Sequence, residues 1–169
     1  MSYQPVFRSI IACVVLYALG INSAYSKSVS PEFGAWQFSS FTARSGNFYC
    51  SMISAVENKN VGQNIVIKGS PQREKIVVDL YKDKWNRRQG SNVNVMFDFV
   101  NNRPLTLPAY ADAHILDIEL PTQVAGSFLL EVAQQPAMQI IFPDDDEDTW
   151  VVGGDGANEA VRKMVSCLR

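Results

Sequence analysis

From Phe33 to Leu120, segments in which apolar residues recur at every second position follow one another, and this pattern limits the fold more than any other feature. In residues 75–85 the alternation places Ile76, Val78 and Leu80 on one side of a strand. In residues 93–100 it places Val93, Val95, Phe97 and Phe99 on one side. Because successive side chains of a strand point to opposite faces, this spacing predicts a sheet with one buried face.

The predicted strands are short and are separated by turn sequences. They cover residues 34–43, 48–56, 64–68, 75–85, 93–100, 105–107 and 113–120. Residues 44–47, 87–92 and 101–104 are rich in Gly, Asn, Ser or Pro, which favour turns. Short strands with regularly spaced turns predict a mainly antiparallel β-sandwich or open barrel.

The C-terminal third adds two predicted short helices. Residues 122–135 carry Val124, Phe128 and Val132 at four-residue intervals and end before Pro136, which predicts an amphipathic helix. Two strands, at 137–142 and 150–152, precede a glycine-rich segment and a last helix, for which Asp155 is the predicted N-cap. The predicted fold class is therefore α+β.

Residues 1–26 have the three-part plan of a secretory signal peptide. Arg8 precedes an apolar run at 9–21, and the small residues Ala24 and Ser26 suit cleavage after Ser26. An uncleaved membrane anchor and a lipoprotein modified at Cys13 are the alternatives, but the run is shorter than the ~20 residues that span a bilayer. Residues 27–169 are then predicted to form a single β-rich domain in the periplasm or outside the cell.

Two cysteines stay in the mature chain, Cys50 and Cys167. An even pair in an oxidising compartment is expected to form a disulfide bond. The chain has no Cys-x-x-Cys spacing that would lower the pKa of a thiol, so the predicted bond is structural.

The charge balance bears on the class of partner. The chain has 15 basic and 17 acidic residues, one His and three Cys. A near-balanced, slightly acidic chain does not favour nucleic-acid binding, which usually needs a basic excess. So few Cys and His residues make a zinc site hard to build, and we expect no metal and no cofactor.

His114 is the one candidate for general-base catalysis. Asp112 or Asp117 would orient it, in a hydrolase. Strand parity puts Asp117 on the opposite face, and no Gly-x-Ser-x-Gly nucleophile motif is present. A non-catalytic histidine at a strand end is the favoured interpretation, and the chain is expected not to be an enzyme.

Two charged segments are candidate protein-binding sites. The acidic run comprises Asp144, Asp145, Asp146, Glu147 and Asp148. The basic cluster comprises Trp85, Arg87 and Arg88, with Lys82 and Lys84 beside them. The acidic run does not have EF-hand spacing, so a solvated hairpin loop or a docking site for a basic partner is favoured over calcium binding.

The layout resembles the invasion-associated locus B family of exported alpha-proteobacterial proteins. The shared features are an early Trp36, the strand segment Cys50-Ser51-Met52 and a glycine-led last helix with Ala157 and Ala160. Members often carry a cysteine soon after the early tryptophan, where this chain has Ser39 and Ser40, and a further mid-chain pair that it lacks. The resemblance implies an exported, non-enzymatic protein linked to host-cell invasion and envelope biology.

These observations predict an exported protein that acts through protein contacts at the cell envelope, with a role in host interaction or virulence. The partner would be an envelope or host protein. Inhibition of a basic envelope hydrolase such as a lysozyme is the first alternative, and a hydrolase that uses His114 is the second.

Overall fold

The computed structural model describes residues 36–56, 62–100 and 102–169. The predicted signal peptide, residues 1–26, lies outside the described residues, as does the start of the first predicted strand. The strands are β1 (Gln37–Thr42), β2 (Phe48–Ala55), β3 (Gln63–Ser70), β4 (Arg73–Lys82), β5 (Asn92–Phe99), β6 (Leu105–Asp112), β7 (Ile115–Leu120), β8 (Ala137–Ile141) and β9 (Trp150–Gly153). The helices are α1 (Thr122–Gln134) and α2 (Ala157–Cys167).

The nine strands of the described residues join one curled antiparallel sheet. Their order in the sheet is β1-β2-β3-β4-β7-β6-β5-β8-β9. Consecutive strands pair as hairpins, except that β4 pairs with β7 and β5 pairs with β8. The predicted α+β fold, an antiparallel open barrel with two short helices, is confirmed.

The core lies on the inner face of the sheet, where the alternation had placed it. Val78 and Leu80 on β4 and Phe97 on β5 are fully buried. The ring of Phe128 on α1 packs edge-on against Phe97, with centroids 5.1 Å apart, and against Phe99 at 5.7 Å. Burial of these aromatic rings packs α1 against the inner face of β5.

A disulfide bond between Cys50 and Cys167 ties α2 to β2. The two residues are 117 positions apart, and Cys50 is completely buried. The predicted pairing is confirmed. The last residues of the chain are thereby fixed to the second strand, and α2 covers the inner face of β1 and β2.

Two predicted strand limits near Pro108 are wrong. β6 continues through Pro108 to Asp112, and β7 begins only at Ile115, after a turn in which Ala113 has a φ of 48°. The N–H of Ala111 donates to Ser91 on the β5 side, so alternation turns position 108 toward β7, beyond the last β6–β7 pair, Tyr110 with Asp117. The missing N–H of Pro108 therefore removes no ladder hydrogen bond.

Trp36 connects the two ends of the strand order. Its indole Nε1 donates to the carbonyl oxygen of Gly153 at 2.9 Å, and its backbone N–H donates to that of Asp155 at 2.8 Å. Asp155 is therefore not the N-cap of α2. That position belongs to Gly156, which has a φ of 72° and where a side chain would come within 3.1 Å of the Trp36 carbonyl oxygen.

We expect loss of the disulfide bond to destabilise the fold strongly. The Cys50→Ala/Cys167→Ala variant should lose about 5 kcal/mol of unfolding free energy, because the bond closes a long loop in the unfolded chain. Urea unfolding of the oxidised protein, with and without a reductant, measures the loss. The variant serves as the control, since a reductant should not change its stability, and equal stability of both proteins would contradict the prediction.

Candidate functional site

The acidic run lies in the loop that joins β8 to β9. Its five acidic residues divide by the direction of their side chains. Asp144, Asp146 and Asp148 are exposed, whereas Asp145 and Glu147 turn toward the protein and are partly buried. The loop is therefore only partly the solvated hairpin that its charge pattern suggests.

The carboxylate of Glu147 is the centre of the loop. It accepts hydrogen bonds from Trp85 Nε1 at 2.8 Å and from Trp150 Nε1 at 3.0 Å. It also accepts one from Lys82 Nζ at 2.5 Å, and its side chain is only 8% exposed. Burial opposes the charged form, but these three donors outweigh it and hold the pKa of Glu147 below its ordinary value of 4.5.

An aromatic cluster lies beneath this carboxylate. The rings of Trp85 and Trp150 are stacked, with centroids 5.2 Å apart. Phe142 contacts both indoles, at 6.1 Å from Trp85 and 5.4 Å from Trp150. Because Phe142 ends one side of the loop and Trp150 begins β9, the cluster fixes both ends of the loop in the core.

The basic cluster and the acidic run bind each other. The Arg87 guanidinium lies 4.5 Å above the Trp85 ring and forms an ion pair with Asp145. Lys82 pairs with Glu147. The two candidate segments, separate in the sequence, are thus one unit in the structure, and much of their charge is neutralised internally.

The candidate protein-binding residues accordingly fall into two groups, one buried beneath the loop and one exposed on its surface. Trp85 is 6% exposed and supports the loop from below. The surface that a partner can reach consists of Asp144, Asp146 and Asp148, with Arg88 also exposed. Sequence reasoning missed Asn94, whose side-chain amide donates to Asp144 at 2.6 Å.

A second charged group lies on the outer face of the sheet. Asp79 on β4 pairs in register with Asp117 on β7 and forms an ion pair with Lys68 on β3. The Asp79 side chain is 14% exposed, and its Oδ1 has no hydrogen-bond partner within the described structure. Burial raises the pKa of Asp79 above 3.8, Lys68 lowers it in part, and Asp117 raises it further.

His114 is exposed in the turn between β6 and β7. Its backbone carbonyl oxygen accepts the N–H of Lys82, and its ring lies 6.4 Å from that of Tyr81. Asp117 points from the outer face of the neighbouring strand toward Asp79. The hydrolase hypothesis for His114 stays a prediction, for which loss of activity in His114→Ala is the test.

Neither a metal site nor a membrane span is formed by the part of the chain that the structure describes. There, no three His, Cys, Asp or Glu side chains cluster closely enough to hold a metal ion. Within the same residues, no helix is long and apolar enough to cross a bilayer.

Comparison of the chain with models of protein families, with curated proteins and with solved structures found no match.

We expect Glu147→Gln to lower the unfolding free energy by about 2 kcal/mol, because Lys82 would lose its charged partner in a largely buried place. Near-UV circular dichroism should also change, since both indoles bond this carboxylate. The exposed neighbour provides the control: Asp146→Asn should stay within about 0.5 kcal/mol of the wild type. Equal losses in the two variants would contradict the central place of Glu147.

The raised pKa of Asp79 predicts a pH dependence. Between 3.8 and the raised pKa, the folded protein holds a proton that the unfolded chain has released. The stabilisation from this proton is therefore present below 3.8 and is lost as pH rises through the folded pKa. Urea unfolding over a pH series should show this decline in the wild type and not in Asp79→Asn. Asp112→Asn, on the same face but exposed, should retain it; a decline in Asp79→Asn of wild-type size would overturn the assignment.

Proposed function

We propose that this chain is an exported, non-enzymatic protein that acts through protein contacts at the cell envelope. Its contact surface is the acidic loop, residues 142–149 between β8 and β9, which carries the acidic run. The observation that carries the proposal is the internal support of this loop. Glu147 is held by two indoles and a lysine, and Asp145 is held by Arg87. The loop therefore presents Asp144, Asp146 and Asp148 on a backbone that is already ordered.

The order that the loop already has in the free protein favours its binding to a partner. A loop that is ordered before it meets a partner loses less conformational entropy on association than a free loop does. Exposed carboxylates at its rim would attract a basic surface and increase the rate of encounter, more than they would increase the affinity itself. The proposed partner is thus an envelope or host protein with a basic patch.

Export is part of the proposal. A disulfide bond between Cys50 and Cys167 suits the periplasm or the cell exterior, since such bonds are rare in reducing compartments. The signal-peptide pattern of residues 1–26 supports the same compartment. The role in host interaction or virulence rests on the resemblance to the invasion-associated locus B family.

Inhibition of a basic envelope hydrolase is the second candidate function. The ordered loop with three exposed carboxylates favours it, because these charges complement the basic surface of such an enzyme. Excess protein should then reduce lysozyme activity. Full lysozyme activity at saturating protein would remove this candidate and leave the broader proposal standing.

The test of the broader proposal is affinity capture from envelope extract with the mature, oxidised protein. The bait variant is Asp146→Asn/Asp148→Asn, which removes exposed charge and leaves the bonds of Asp145 and Glu147 in place. We expect wild type to capture a basic protein that the variant captures several-fold less well, with the difference shrinking at high salt.

The matched control is Asp98→Asn/Asp112→Asn, which makes the same change of charge on the outer face of the sheet. It should capture the partner as the wild type does. Equal loss in both variants would show that only net charge matters, and equal capture by all three proteins would overturn the assignment of the loop.

A further inference from the structure

The strand β1 forms one edge of the sheet and pairs only with β2 among the described residues. Its residues Gln37–Thr42 include no charged residue and no proline, and Ser39–Thr42 are exposed. Natural sheets usually protect such edges with charge, proline or a bulge, because an open edge can pair with another strand. None of these protections is present in β1, whose register with β2 is unbroken.

The hydrogen bonds at the hairpin show which backbone groups point outward. The N–H of Ala43 donates to Asn47 in the β1–β2 turn, so position 43 faces β2. Because backbone groups alternate along a strand, Phe38, Ser40 and Thr42 direct their N–H and C=O groups away from β2. The Trp36 N–H belongs to the same outward set, and it is already bound to the Asp155 carbonyl oxygen.

We propose that this edge is a self-association surface, at which β1 pairs antiparallel with β1 of a second copy of the chain. A two-fold axis at Ser40 places Ser40 opposite its own equivalent and Phe38 opposite Thr42 of the other copy. This register uses every free outward group of β1, and each opposed pair exchanges two hydrogen bonds. A shift toward Trp36 would place a residue opposite an N–H that is already occupied.

Side chains and charge favour a second copy as the occupant. Phe41, 36% exposed and stacked on Tyr49 at 5.4 Å, would lie opposite Ser39 of the other copy and lose exposed area. Two copies of one chain carry the same charges, so a charged edge strand would repel its equivalent. The side chains of β1 carry no charge, and this repulsion is absent when β1 pairs with β1 of the second copy. The acidic loop joins β8 to β9, at the other end of the strand order, and takes no part in the contact.

The first test uses the outward N–H of Ser40, which β2 does not use. Ser40→Pro should abolish pairing and leave the β1–β2 ladder intact, whereas Ser40→Ala keeps the N–H. Sedimentation of the mature, oxidised protein over a concentration series should give a dimer mass for wild type and Ser40→Ala, and half that mass for Ser40→Pro. A monomer mass for wild type throughout, or a dimer mass for folded Ser40→Pro, would overturn the proposal.

A second test separates lost pairing from a folding defect. Ser40→Lys and Ser40→Glu each place like charges opposite one another across the two-fold axis, so each protein alone should be monomeric. Their mixture should form a heterodimer, which native mass spectrometry distinguishes from either homodimer. Dimers of the separate proteins, or a mixture that stays monomeric, would contradict the proposed register.

Discussion

The sheet has one apolar face, and two short helices cover it in the part of the chain that the structure describes. This constraint governs the rest of the structure. A flat sheet of nine strands would leave a large part of that face in water, so the sheet curls until the inner residues of distant strands meet the helices. The rings of Phe97, Phe99 and Phe128 meet in this way, and their burial joins β5 to α1 although no hydrogen bond connects these elements.

The curled sheet leaves two places at which core residues need cover from water. Hydrogen bonds from Trp36 to backbone carbonyl groups cover one, and the carboxylate of Glu147 covers the other. Near the start of β1, the Trp36 indole bonds Gly153 at the end of β9, and Gly156 allows the backbone of Trp36 to approach closely. Near the start of β9, the stacked indoles of Trp85 and Trp150 form the boundary, and their N–H groups need an acceptor. Glu147 supplies it. The acidic loop thus covers the aromatic cluster and accepts the hydrogen bonds of its indoles, in addition to being the proposed contact surface.

Local spacing predicted most of the fold, because burial on one face of a strand leaves a period of two in the sequence. The strands at 75–85 and 93–100 follow from this period, and the helix at 122–135 follows from apolar residues at four-residue intervals. Cys50 and Cys167 had no other partner in the predicted mature chain. The mutual binding of Lys82 and Glu147 was not predictable, since it joins residues 65 positions apart through a pairing of β5 with β8 that no local pattern records. Asp155 was assigned as a cap from its side chain, while the structure uses its carbonyl group; backbone roles of this kind leave little trace in residue type.

The distribution of charge separates two kinds of contact in this molecule. On the acidic loop, the carboxylates of Asp145 and Glu147 are partly buried and paired, and the remaining carboxylates lie exposed around them. On β1 the side chains carry no charge, and the proposed pairing with a second copy uses backbone groups. The proposed long-range attraction for a basic partner therefore belongs to one edge of the sheet, and the proposed strand pairing belongs to the other. Because the two surfaces share no residue, substitution of Ser40 should leave recognition by the loop unchanged, and neutralisation of Asp146 and Asp148 should leave self-association unchanged.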